Sequence, residues 1–91
     1  IEIITTNNEL IREVNKISVY PNPSREFVNI RSHSMISQVE LIDLSGQSVY
    51  SRKTKALEHQ FKVNQLKDGM YILRVTANDR VHSQKIQIRS R

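Results

Sequence analysis

The 91-residue chain contains no cysteine and no tryptophan, and only two glycines and two prolines. Without cysteine it has no disulfide framework, no thiolate zinc site and no cysteine nucleophile. Aromatic residues make up 5% of the chain, too few for a stacking platform for nucleic acid or glycan. No apolar run reaches the ~18–20 residues that a membrane-spanning helix needs. Acidic charge is also scarce: nine Asp and Glu stand against fourteen Lys and Arg, a net charge of +5. Yet 37% of the residues are hydrophobic and 25% charged, too apolar a mixture for a disordered tail. The length allows one domain with a modest core, since a chain this small buries only ~60–65% of its unfolded surface. A deep, water-excluding catalytic cleft would compete for those same apolar residues. The first residue is Ile1 and not Met, which suggests a piece of a longer protein.

What is present is a series of short β-branched runs separated by turn residues. Ile17–Tyr20 alternates and stops at Pro21-Asn22-Pro23. Phe27–Arg31 follows with Val28 and Ile30 on one face, then Val39–Leu44 and, after Ser45-Gly46, Gln47–Ser51. His59, Phe61 and Val63 alternate in a fifth run. Tyr71, Leu73, Val75 and Ala77 share a face in the sixth, and Asn78-Asp79 turns the chain into the seventh, Arg80–Arg89. This predicts an all-β protein, an antiparallel sandwich of about seven strands. In the last run Val81 has one parity and Ile86 and Ile88 the other, which predicts a bulge or a switch near Ser83–Lys85. The same question of parity sets Val39 and Leu41 against Ile42 and Leu44. Residues 1–16 read as a linker or partly docked segment, and residues 17–91 as the domain.

No constellation of residues points to catalysis, a cofactor or a metal. His33, His59 and His82 lie on different elements, with no second ligand at i+2 or i+4. No serine sits in a glycine-flanked strand-to-helix elbow. Asp43, Asp68 and Asp79 fall beside turns, where aspartate caps its own backbone. Gly46 and Gly69 occupy turns where a Cβ is expected to clash, and Tyr71 is placed to bury its ring while its hydroxyl reaches a loop carbonyl. The charge is concentrated late: Arg74, Arg80, Lys85, Arg89 and Arg91 against Asp79 alone give +4 of the total +5. With no aromatic after Tyr71, this pattern fits an edge strand guarded by cations better than a nucleic-acid surface.

Three segments together resemble a known family. They are Tyr20-Pro21-Asn22-Pro23, then Val39 through Asp43-Leu44-Ser45-Gly46 to Val49, then Leu66 through Gly69-Met70-Tyr71 to Val75, with Lys85-Ile86 closing the match. The chain is similar in this to the C-terminal sorting domain of the type IX secretion system (the Por secretion system type A sorting domain). The resemblance implies an immunoglobulin-like β-sandwich that directs its parent cargo protein through the outer membrane. It implies a translocon and a sortase-like peptidase as partners, transit through the periplasm, and arrival at the cell surface or in the medium. Some members of the family keep the domain and serve the secretion machinery. The family often ends in a short apolar and lysine tail, whereas here Ile86-Gln87-Ile88 runs into Arg89-Ser90-Arg91.

The motif residues Tyr20, Pro21, Asn22, Pro23, Asp43, Gly46, Gly69 and Tyr71 have scaffold roles in this reading. Recognition by the translocon is assigned to Lys85, Ile86, Gln87, Ile88 and Arg89, through strand addition at an exposed edge. An open edge also invites an edge-paired or strand-swapped homodimer. The competing reading is a fibronectin-like or immunoglobulin-like adhesion or protein-binding module. An enzyme is not expected.

Overall fold

The computed structural model describes residues 17–21 and 24–89, and every described element is a strand, turn or loop. The reading of residues 1–16 as a linker, the positions Asn22 and Pro23, and the last two residues lie outside that range. The strands are β1 (Ile17–Tyr20), β2 (Phe27–Asp43), β3 (Ser48–Lys62), β4 (Gly69–Ala77) and β5 (Arg80–Ile88). All pair antiparallel in one sheet.

The expected count of about seven strands is therefore corrected to five. The second and third runs are the two ends of β2, and the fourth and fifth are the two ends of β3. Between Arg31 and Val39, and again between Ser51 and His59, the sequence holds no Gly, Pro, Asn or Asp. The strongest turn formers are missing, and each apparent gap is an irregular stretch of one long strand and not a turn. The β2–β3 ribbon shifts register between Arg31 and Ile36, between Ile36 and Gln38, and between Leu41 and Ile42.

These bulges curl the sheet and decide which residues face inward. Against β4, Ile36 pairs with Ala77 and Gln38 with Thr76, so Ser37 is one extra residue. That residue flips the parity. Val28, Ile30 and Ile36 are buried before it, and Val39 and Leu41 after it. The competing set loses: Leu44 is exposed and Ile42 lies on the outer face.

Long β2 divides the sheet into two halves. In the first, β1 and the end of β3 flank Asn29–Arg31; in the second, the start of β3 and β4 flank Gln38–Leu41, with β5 beyond β4. Val28, Ile30, Phe61 and Val63 from the first half share one core with Leu41, Leu73, Val75, Ile86 and Ile88 from the second. The face Tyr71–Leu73–Val75–Ala77 is buried as its alternation predicts.

The bulge expected in the last strand is absent. β4 and β5 pair without a shift from Gly69↔Ile88 to Ala77↔Arg80. Val81 needs no reconciliation with Ile86, because it is 56% exposed on the outer face. The hairpin is closed by Asn78 and Asp79 at φ 55° and 61°, the left-handed pair that matches the twist of a two-residue hairpin.

Candidate functional site

The terminal strand and the described motif residues meet at one end of the domain. Asp43, the last residue of β2, lies opposite Tyr71, Tyr71 opposite Ile86, and Gly69 opposite Ile88. Just before β2, Ser24 forms a parallel bridge with Ile88. Its N–H donates to the Gln87 carbonyl at 2.9 Å, and its carbonyl accepts the Arg89 N–H at 2.8 Å. The Ser24 side chain is fully buried, and its hydroxyl donates to the carbonyl of Pro21. The motif around Tyr20 and Pro21 thus holds the chain where Ser24 can clasp the end of β5. The Tyr20–Pro21 bond is cis, and Tyr20 is 44% exposed.

The β2–β3 turn is built on Asp43. Its Oδ1 accepts the Ser45 N–H, the Ser45 hydroxyl and the Gln47 N–H, while the Gly46 N–H donates to the Asp43 carbonyl. The Ser45 hydroxyl, followed by the Gln47 amide, holds the carboxyl below its ordinary pKa. Gly46 sits at φ +93° and Gly69 at φ +152°, but a Cβ at either would meet open space. The expected clash is corrected: backbone conformation, not room, requires glycine at both.

Tyr71 buries its ring and donates its hydroxyl to the Lys67 carbonyl at 2.7 Å, as the sequence predicts. Burial raises the phenol pKa, with Asp43 and Asp68 adding to it. The site is structural at this level, a set of turns that brace the end of β5.

The residues assigned to recognition divide by parity. Ile86 and Ile88 point into the core and are 1% and 0% exposed, so their side chains are not on the surface. Lys85 and Arg89 are exposed, and Gln87 is half-buried. The strand lies at the sheet edge, and Arg74 on neighbouring β4 pairs with Glu40 at 3.8 Å.

Sequence reasoning missed two features. One is the Ser24 clasp, for which a lone serine after a proline gives no signal. The other is an aromatic cluster where the two ends of β3 meet. Tyr50 stacks on Phe61 at 4.1 Å between centroids and 8° between planes, and its hydroxyl lies 2.7 Å from His59 Nε2. Burial, then the charge of Arg52, lowers the His59 pKa; burial raises that of Tyr50. His59 and Phe61 share the parity of a strand face, but their meeting with Tyr50 depends on the curl of β3. Among the described residues no three His, Asp or Glu side chains gather as a metal site.

Comparison with known proteins adds to this geometry. A family model described as a secretion system C-terminal sorting domain matches residues 18–89. An ulvan lyase, NLR42 of Nonlabens ulvanivorans, is 33% identical over 70 residues, covering 75% of this chain and 13% of that protein. The solved structure of PorZ, a surface component of the type IX secretion system of Porphyromonas gingivalis, superposes with a TM-score of 0.65. Identity there is 21%, over 86% of this chain and 12% of that one, so the likeness is one of fold. The chain spans about an eighth of each of these proteins. With four-fifths of its length matched by the family model, the chain belongs to the secretion system C-terminal sorting domains.

Proposed function

We propose that the domain is an address without chemistry of its own, read by the type IX translocon and then by a sortase-like peptidase. The parent protein is carried from the periplasm through the outer membrane to the cell surface or the medium. The observation that carries this reading is the family match over residues 18–89, which covers every described strand residue but Ile17. The structure is consistent with it: the motif residues support turns and the end of β5, leaving a braced terminal strand at the sheet edge.

The finer fold belongs to the same proposal. The two halves of the curled sheet correspond to the two layers of an immunoglobulin-like sandwich, with long β2 and β3 passing from one layer to the other. Two features support this. Tyr50 lies opposite Leu41 in one half and stacks on Phe61, opposite Val28 in the other, as facing layers require. The Tyr71 hydroxyl reaches back to the Lys67 carbonyl at the start of a strand, the arrangement of a tyrosine corner.

The test is export of a reporter. A periplasm-directed fluorescent protein carrying this chain at its C-terminus is expressed in a bacterium with a working type IX system and in its translocon mutant. The expected result is reporter at the surface or in the medium in the first strain alone. Retention in the periplasm of both would overturn the proposal.

A further inference from the structure

We infer that the domain binds one extended strand of a partner protein in a slot between β5 and β1, with apolar side chains of that strand facing in and acidic ones facing out. The partner's identity as part of the export apparatus rests on the proposed function. The slot rests on backbone geometry, shape and charge.

The backbone comes first. In an antiparallel pair, alternate residues direct both N–H and C=O to the same neighbour. Ala77 and Arg80 close the two-residue hairpin, so even-numbered residues of β5 face β4. The bonds from Ser24 to the Gln87 carbonyl and the Arg89 N–H show that odd-numbered ones face away from it. Val81, Ser83 and Lys85 therefore present their N–H and C=O groups along the outer edge, beyond the stretch Ser24 covers. This relocates the available edge from the chain end to the middle of β5. The other long edge, on β3, belongs to a ribbon with three register shifts, which discourage pairing. β5 has none.

Shape comes second. Beside this edge, to which no described residue is shown bonding, lies a cleft of about 230 Å³ lined by Ile17 and Val19 of β1, Leu73 and Val75 of β4, and His82 and Gln84 of β5. Since β1 pairs antiparallel with β2, β2 with β4, and β4 with β5, β1 runs antiparallel to β5 across this gap. A strand laid on β5 would direct alternate side chains over the apolar wall of β1.

Charge comes third. Lys85 of β5 and Arg89 just after it are exposed and share the outward parity of Val81, and the two ion pairs among the described residues, Arg31–Glu58 and Arg74–Glu40, use neither. These cations repel a second copy of β5 and attract an acidic strand.

The probe is a synthetic peptide alternating Val and Glu, added to the full chain while amide exchange is followed residue by residue. The expected result is exchange at Val81, Ser83 and Lys85 slowed by about tenfold or more. Lys85→Glu with Arg89→Glu should weaken binding by about tenfold, and Ser83→Pro, which removes an outward N–H, should abolish it. No protection would overturn the inference. Slow exchange at the three amides without peptide would overturn it too, since the slot is then filled by the chain itself or by a second copy.

The same variants in the reporter fusion separate this inference from the export reading. Export by wild type and its loss in Ser83→Pro, with an unchanged melting temperature, supports both. Export by Ser83→Pro and by the charge-reversed pair overturns the slot and leaves export standing. Peptide protection without wild-type export overturns export and leaves the slot. Where Ser83→Pro fails to fold, the charge-reversed pair decides.

Discussion

Tyr71 in the core and half-buried His59 show how single polar groups are used in a small apolar domain. The Tyr71 hydroxyl satisfies one loop carbonyl, that of Lys67, and its ring fills the end of the core. Tyr71→Phe keeps the ring and removes the bond, so it should cost about 0.5–1.5 kcal/mol. In a domain of this size about 1 kcal/mol moves the melting temperature by roughly 4–8 °C, which a thermal melt resolves. An unchanged melting temperature would show that water replaces the hydroxyl. His59 predicts a pH dependence. Burial and Arg52 lower its pKa in the folded state, so the unfolded chain binds its proton more tightly. The stability this residue contributes is then present above its unfolded pKa of about 6.5 and is lost as pH falls through the folded value. Wild type should lose stability as pH falls below about 6.5, and His59→Phe should flatten that slope. Equal slopes would place the pH response elsewhere. Tyr71 was legible because a tyrosine two residues after a turn glycine has few other uses for its hydroxyl. The bond between His59 and Tyr50 was not, since it joins two ends of one strand through a curl that no local pattern encodes.

At the level of elements, alternation was the reliable signal and continuity the unreliable one. Val28 with Ile30, Phe61 with Val63, and the four inward residues of β4 all follow from a period of two. The splitting of β2 and β3 into four strands came from reading loss of alternation as a turn. The chain there lacks Gly, Pro, Asn and Asp, and bulges account for the change of parity instead. In β5 the parity of Val81 points to a bulge that the strand does not contain, because one exposed valine is ordinary. The β4–β5 hairpin is the element where sequence and geometry agree most closely. Both Asn78 and Asp79 have positive φ, which costs a non-glycine residue about 1–2 kcal/mol. Glycine at the second position removes that penalty but loses more freedom on folding. Asp79→Gly should therefore stabilise the hairpin by about 0.5–1 kcal/mol, measured by denaturant titration. A loss of stability would mean that the Asp79 side chain supports the turn.

At the level of the whole molecule, the terminal strand joins the signal and the fold. Ile86 and Ile88 are as deeply buried as Leu41 and Leu73, and Ser24 bonds to the backbone on both sides of Ile88. Loss of export after deletion of residues 85–91 would thus report on unfolding as much as on recognition, and edge substitutions such as Ser83→Pro are needed to separate the two. The same burial makes a prediction about cooperativity. Val28 and Phe61 belong to one half of the sheet and Leu73 and Ile88 to the other, but all four lie in one core. Val28 and Ile88 should therefore support the same transition, although they lie on different strands. Ile88→Ala removes a fully buried side chain and should cost about 2–5 kcal/mol, the usual range for such a cavity. Its effect should reach the first half undiminished. Tyr50, stacked on Phe61 where the halves meet, gives a near-ultraviolet signal for that region once Tyr20 and Tyr71 are changed to Phe in both proteins compared, and backbone dichroism reports the whole sheet. With and without Ile88→Ala the two signals should fall together at one denaturant midpoint, lower in the variant. Separate midpoints would show that β1, the start of β2 and the end of β3 hold together without the terminal strand, and that the address can come undone while the rest of the domain stays folded.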